Sequence, residues 1–543
     1  MGTATIIENA LVVDGTGAPG FPGDVIVEGD RIADVVRGGG ACRHDALARV
    51  IDAAGSIVSP GFIDSHTHSD AYLVVEPDAP SKVAQGITTE VNGQCGGSAA
   101  PRYGEARLSS DWASVLGPRL TWRSMAEYRA ALSAARPAVN TVQFVGHNTL
   151  RSSVVGYAGR PATESELRRM EGLLEECLDA GAWGLTTGLI YQPGKYATPL
   201  EVTRLAKVAA AKGGLYATHM RSEGDRILEA IDEVVALART TGIRAEISHL
   251  KTSGRANWGK LDAVFEKIER GIDDGLLLGS DRYPFCAAGT DLDIVLPDWA
   301  QEGAAKAECE RLRAPATRER IVREIDASGR DWTTVMIGGT WSEATKRYSG
   351  RTVVEILAGH STDGCRPPDD GCRMSSPGAL ICSILAADLC RTGAFFFGMS
   401  EENLSRILLK PWVVPGSDAS LRAPWGALGA DHPHPRAYST MPEFYGRLRS
   451  LGVSREEAVM RMTSVPARRF GIAGRGVIEK GAFADLAIWR EGEFRGEATY
   501  MAPHRFARGV RAVMVNGSVP YLDGRFTGER AGRFLERHAF AAI

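Results

Sequence analysis

Gly61-Phe62-Ile63-Asp64-Ser65-His66-Thr67-His68 sets two histidines two residues apart, directly after the apolar run Ile57-Val58-Ser59-Pro60-Gly61-Phe62-Ile63. Residues i and i+2 of a β-strand face the same side. Two imidazoles at a strand end can therefore bind one divalent metal. An isolated pair of this kind is more often two surface histidines, so the decision rests with residues further along the chain. The 543 residues hold only 11 histidines, which makes any clustering informative.

Outward from this stretch, residues 60–471 alternate strands with helices. Thr163-Glu164-Ser165-Glu166 has the spacing of a capping box, with Thr163 as N-cap and Glu166 reaching back to it. The helix it opens runs to about Ala180, and the strand Trp183-Gly184-Leu185-Thr186 comes next. Helical spacing over Pro199–Lys212 gives way to the strand Gly214–Thr218. The same alternation pairs Arg226–Thr240 with Arg244–Ser248. Repeated βα units of this size predict an α/β fold, a parallel (β/α)8 TIM-like barrel. Buried strands are also expected at Leu276-Leu277-Leu278 and Phe395-Phe396-Phe397.

Such barrels carry their chemistry at the C-terminal ends of the strands, and polar residues stand there. His66 and His68 follow one predicted strand. Cys95, in Asn92-Gly93-Gln94-Cys95-Gly96-Gly97, follows Ile87–Val91. His219 follows Leu215–Thr218, His249 follows Ala245–Ser248, and Asp418 follows Val413–Pro415. Five candidate metal ligands and one carboxylate thus share one end of the barrel. Each has a simpler reading: Cys95 as a buried apolar residue, Asp418 as a turn or cap residue. Their common position argues against those readings.

The two chain ends read differently. Thr5–Ile7, Leu11–Val13 and Asp24–Ile32 are β-rich and punctuated by turns, as are Ala484–Trp489 and Val510–Gly517. Residues 1–59 and 472–543 are expected to build one small composite β-sandwich domain beside the barrel of residues 60–471. Stretches near 299–378, rich in charge, proline and cysteine, read as lid or insertion segments.

The net charge of -3 argues against nucleic acid or an anionic membrane as partner. No apolar run is long enough for a membrane span. The nine cysteines are odd in number and no signal peptide precedes them. Reduced thiols in a cytoplasmic protein are expected. Met1-Gly2-Thr3-Ala4-Thr5-Ile6 lacks the Ser or Thr at position 6 that favours myristoylation.

Taken together, the pattern resembles the amidohydrolase superfamily and, within it, the N-acyl-D-amino-acid deacylases (D-aminoacylases). The resemblance covers nearly the whole chain. It rests on Gly61–Asp70, Gln94-Cys95-Gly96, Val145–Arg151, Trp183–Tyr191, Ala217–Glu223, Ile247–Lys251, Asp281–Phe285 and His432–Arg436. Its most specific mark is a cysteine where a bridging metal ligand is expected. The resemblance implies the barrel with a small β domain and a tightly held Zn2+ on Cys95, His219 and His249. A second, weaker metal position would use His66 and His68 and share Cys95, and Asp418 would be general base and acid. The sequence leaves open whether His66 and His68 bind metal or assist catalysis. One departure is Ala419, where family members often carry Gly.

Mixed thiolate and imidazole ligands suit zinc, which lowers the pKa of a water towards ~7. The activity implied is hydrolysis of the amide of N-acyl-D-amino acids. The partner would then be a small molecule with a free carboxylate. Lys251, Tyr283 and Arg436 match family positions for binding that carboxylate, and Arg can do so through two parallel hydrogen bonds. Tyr191 resembles a residue of the substrate side-chain pocket. His147 reads as supporting the site from behind. His432 and His434, between prolines on a loop, shape the entrance rather than bind metal. Asn403-Leu404-Ser405 matches a glycosylation sequon. The alternatives are cyclic-amide opening or acyl transfer on the same scaffold, and a non-catalytic binding barrel. The intact Lys251, Tyr283 and Arg436 set favours a substrate with a free carboxylate over a cyclic imide.

Overall fold

The computed structural model describes residues 4–38, 48–107, 115–362 and 376–537. Met1 to Thr3, Cys42, Cys365, Cys372 and residues 363–375 of the expected lid lie outside them. Eight parallel strands make the barrel. They are β1 (Phe62–Asp64), β2 (Ile87–Asn92), β3 (Asn140–Gln143 continued by Val145–Gly146) and β4 (Gly184–Gly188). Next come β5 (Leu215–His219), β6 (Arg244–Ile247), β7 (Leu278–Arg282) and β8 (Val413–Pro415). Neighbours pair in chain order. The ring closes where Ser65 N donates to Pro415 O at 3.1 Å and Thr67 bridges Ala419 in parallel.

Local chemistry explains the alternation. Thr163 Oγ1 accepts from Glu166 N at 3.3 Å while the Glu166 carboxylate accepts from Thr163 N at 2.7 Å, opening helix Glu164–Asp179 with the predicted capping box. Helix Ile227–Thr241 buries Ala230, Ile231, Val234, Leu237 and Ala238, a stripe at helical spacing. It stops at Gly242, whose φ of 67° suits a residue without a side chain. The strands between helices are buried on both faces, as a sheet covered by helices requires.

The floor of the barrel is filled by charge as well as by apolar groups. Arg469 Nε lies 3.2 Å from Glu246 Oε1 of β6, and its Nη1 donates to Trp412 O at 2.7 Å. Gly279 makes room for it, since a Cβ there would come within 1.9 Å of Arg469 Nη1.

Strands from both chain ends join in one nine-stranded sheet, including Thr5–Val12, Phe21–Glu28, Arg31–Arg37, Ile57–Pro60, Leu486–Trp489, Val510–Val515 and Ser518–Leu522. This small β domain has its own core of Ile7, Val12, Val25, Val58, Leu486, Ile488 and Met514. The apolar run of residues 57–63 therefore splits in two. Ile57–Pro60 belongs to that sheet and Phe62–Asp64 to the barrel, with Gly61 between them packed against Thr88.

Between β7 and β8 the chain adds a three-stranded antiparallel sheet, Ala288–Asp291, Val335–Ile337 and Gly393–Phe396, packed under helices Pro315–Asp326 and Pro377–Ala387. Leu312, Ile321, Ile325, Ile337, Leu380 and Leu385 form its core. The expectation for Phe395–Phe397 is met only in part, and here rather than in the barrel: Phe395 and Phe396 lie in the strand, Phe395 alone is buried, and Phe397 is outside it. The expectation for Leu276-Leu277-Leu278 needs correction: only Leu278 enters a strand, and Leu277 is 47% exposed on the approach to it. Cys95, Cys177, Cys286, Cys309, Cys382 and Cys390 are free thiols. Asn403 of the sequon is buried, its amide donating to Thr252 Oγ1 and Trp258 O. Among the described residues no helix is long and apolar enough to cross a membrane.

Candidate metal centre and substrate cavity

Every strand-end residue singled out in the sequence arrives at one place. His219 ends β5 itself, whereas the others lie just beyond their strands. Thr67, paired to Ala419, holds the chain extended so that His66 and His68 share a face, their ring centroids 5.3 Å apart. Cys95, His249 and Asp418 turn inward through left-handed backbone, with φ of 50°, 37° and 49°. For residues carrying a Cβ this conformation costs of order 1–3 kcal/mol each, and it persists only where the surroundings impose it. They do so here by close backbone approach. A Cβ on Gly188 would lie 2.1 Å from Cys95 O, and one on Gly96 2.4 Å from Asn148 Oδ1.

Cys95 Sγ is central, 3.3 Å from His66 Nε2 and 3.3 Å from His249 Nε2. On one side, the His219 ring stacks edge-on against His249 at 4.5 Å. Neither His219 ring nitrogen has a hydrogen-bond partner, although both are buried. On the other side, Asp418 Oδ1 lies 3.3 Å from His66 Nε2 and 3.0 Å from His68 Nε2. Its Oδ2 pairs with Arg436 at 2.7 Å.

Two carboxylates without a role in the sequence reading orient these imidazoles. Asp281 lies 3.0 Å from His66 Nδ1 and accepts from His249 N at 3.0 Å. Glu223 Oε1 lies 2.9 Å from His249 Nδ1. In both histidines the outer nitrogen is engaged and Nε2 faces the thiol, the arrangement by which carboxylates fix metal-ligating imidazoles. Both acids sit in stretches that carry the family resemblance, which was the available signal.

The electrostatics fit a thiolate among cations. Burial pushes the Cys95 thiol up, but the facing His66 and His249 outweigh it and hold it well below the usual thiol range. Burial likewise opposes charge on Asp418, yet Arg436 and the surrounding histidines keep its carboxyl well below the ordinary value.

These groups open into a cavity of about 480 Å³. His68, Cys95, Asp418, Arg436 and Tyr191 line it, with His432 and His434 at its wall. Tyr191 Oη is 3.2 Å from Thr290 Oγ1, and its ring packs on His219 at 4.9 Å. Arg436 lies over the Tyr283 ring at 4.7 Å, and Tyr283 Oη is buried without a partner. Lys251 is placed differently from the simple clamp expected. Its ammonium is held by Glu223 and lies 2.7 Å from His249 Nδ1, so a substrate carboxylate reaching it would have to share it with Glu223. His147 is buried behind the site against Glu201 at 2.8 Å. His432 and His434 bind protein atoms, Tyr500 O at 2.7 Å and Ala287 O at 3.0 Å.

The donor set fits zinc: a thiol depressed towards thiolate, imidazoles presenting Nε2, and a buried histidine with both nitrogens unsatisfied. His66, Cys95, His249 and Asp418 have ligand atoms within 4.8 Å of one another.

A barrel with this cluster at its strand ends is the architecture of the amidohydrolases. The amidohydrolase family model matches residues 49–334 and 402–521, leaving out much of the inserted subdomain. An N-acyl-D-glutamate deacylase of Alcaligenes xylosoxydans xylosoxydans is 34% identical over 99% of this chain and 97% of that protein. A structure of D-aminoacylase, described with a binuclear metal centre, superposes with a TM-score of 0.80 at 34% identity, covering 98% of this chain and 99% of that one. An N-acyl-D-glutamate deacylase from Bordetella bronchiseptica, solved with zinc and a phosphonate inhibitor, gives 0.79 at 32% identity, with 98% and 99% covered. The chain belongs to the amidohydrolase family and, within it, to the N-acyl-D-amino-acid deacylases.

Proposed function

We propose that this protein hydrolyses the amide bond of N-acyl-D-amino acids, releasing a carboxylate and the free D-amino acid. The observation that carries the reading is the convergence of Cys95, His66, His249 and Asp418 within reach of one ion, beside a His219 whose ring nitrogens lack partners. Cys95, His219 and His249 would hold the tight zinc. His66 and His68, sharing Cys95, would form a weaker second position. Zinc in such a site supplies Lewis acidity, acidifying water and polarising the amide carbonyl.

The chain's own groups do the rest. Asp418, at the cavity wall, takes a proton from the attacking water and delivers it to the leaving amine nitrogen. Arg436, on the cavity wall, with Tyr283 and Lys251 buried behind it, would receive the substrate's free carboxylate, and Tyr191 would border its side chain. A small molecule with a free carboxylate is the partner this lining favours. Asp281 and Glu223 keep the imidazoles turned with Nε2 towards the thiol.

Metal analysis paired with a panel of N-acetyl, N-formyl and longer N-acyl D- and L-amino acids tests this. Zinc-dependent turnover of D-substrates is expected. Turnover of L-substrates alone, or of zinc-free protein, would sink it.

A further inference from the structure

Beneath the site lies a buried charged group with no part in metal binding or proton transfer. Lys82, on the short helix Pro80–Val83, is fully buried, and its ammonium is enclosed by protein. Nζ lies 3.0 Å from Asp64 Oδ2 and 3.0 Å from Glu90 Oε1. It also donates to Ser417 Oγ at 3.1 Å and to the carbonyl of Ala419 at 3.1 Å. Burial pushes the ammonium's pKa down, but the two carboxylates outweigh that and keep it protonated.

The partners are not arbitrary. Asp64 ends β1 and leads into His66. Glu90 is on β2, which leads to Cys95. Ser417 and Ala419 are the two neighbours of Asp418. The strained backbone of Asp418 is thus held on both sides by one cation. Asp64 adds a second hold, its Oδ1 accepting from Ser417 N at 2.7 Å, and Asp418 N donates to His66 O at 2.8 Å. A neutral or shorter side chain at position 82 would leave the Ala419 carbonyl and the Ser417 hydroxyl without their shared donor. The left-handed turn would then lose one hold on the backbone from which the Asp418 carboxylate reaches His66, His68 and Arg436.

We infer that Lys82 is a positioning residue that sets the orientation of Asp418 by clamping Ser417 and Ala419 on either side of it. This rests on the reading of Asp418 as general base and acid. A displacement of about 1 Å at such a group can cost on the order of 100-fold in rate.

Lys82→Met alone leaves two buried carboxylates facing each other and invites unfolding. The double variant Lys82→Met/Glu90→Gln keeps the net charge of the cluster. In it, kcat should fall by about 100-fold while KM, zinc content and the thiolate absorption of the cobalt-substituted enzyme keep their wild-type values. Ser417→Ala, which removes the Lys82 contact at Oγ together with the longer Oγ bonds to His66 O and to the Ala419 backbone, should lower kcat by about tenfold with the same three readouts unmoved. Wild-type kcat in both, or losses that follow zinc content or KM, would overturn the inference. Should the double variant not fold, Ser417→Ala decides by the same criteria. Asp418→Asn run in parallel separates the two possible failures. Full turnover there removes the base itself and this inference with it. Lost turnover there, with wild-type kcat in the clamp variants, removes the clamp alone.

Discussion

The two sides of the metal centre solve the same problem differently. Around His66, His68 and Asp418, each side chain has a charged protein partner: Asp281 on His66, Asp418 on both imidazoles, Arg436 on Asp418. Around His219 and His249, Glu223 braces His249 at 2.9 Å, while His219, whose Nε2 lies 3.7 Å from Glu223, keeps two buried nitrogens without a hydrogen bond. An orphaned buried polar group costs about 1–3 kcal/mol, so His219 has the most to gain from a cation. The self-satisfied side has hydrogen bonds to give up before it can ligate. This asymmetry supports the proposed placing of the tight ion on Cys95, His219 and His249.

The largest test of that asymmetry sets His219→Ala against His68→Ala. Elemental analysis should find zinc lost from the first together with all turnover, and one equivalent retained in the second. Equal zinc content in the two would erase the distinction between the sides. Next in size, Asp418→Asn should lower kcat by about 1,000-fold, within the range for general acid–base groups, at unchanged zinc content. Loss of zinc in step with activity would make Asp418 a ligand first and a base second. Glu223→Gln should weaken the tight ion by about 10- to 100-fold in a chelator competition, as removal of a ligand's carboxylate brace does.

The smallest effect lies below both sides, on the barrel floor. Burial pushes Glu246 up to about 7, with Arg469 opposing. Its folded pKa lies above its ordinary value of 4.5. Its contribution to stability is therefore fully present below about 4.5 and lost as pH rises through about 7. Thermal melts at pH 5 and pH 8 should show a smaller decline for Glu246→Gln than for wild type, with zinc content the same in both. An identical decline would show that Glu246 does not titrate in this window.

Much of the barrel was legible because its rule is local. A strand of three to six residues ends, and a chemically active side chain stands at its last position or within three residues beyond it. His219, His249, Cys95 and Asp418 all obey it, and capping residues such as Thr163 mark the helices between. What escaped was made by closure of the ring. Lys82 meets Ser417 across 335 positions and His66 meets Asp281 across 215, so no spacing rule links them. Lys251 escaped for a related reason. Its position beside His249 is plain in the sequence, but its capture by Glu223 is decided by how β5 and β6 lie together. The split of the first apolar run at Gly61 was equally hidden, because both halves read as strand and only packing assigns them to different sheets.

The left-handed turns at Cys95, His249 and Asp418 also set how this protein can change. Each is a place where glycine would relax the backbone by about 1 kcal/mol or more. At each, glycine would remove a group to which the proposed chemistry gives a role. Asp418 also holds the buried Arg436 at 2.7 Å, and breaking such a pair costs about 3–5 kcal/mol. The strain at these turns is therefore kept in place by the same partners that the side chains bind, and glycine there would weaken the fold as well as the site.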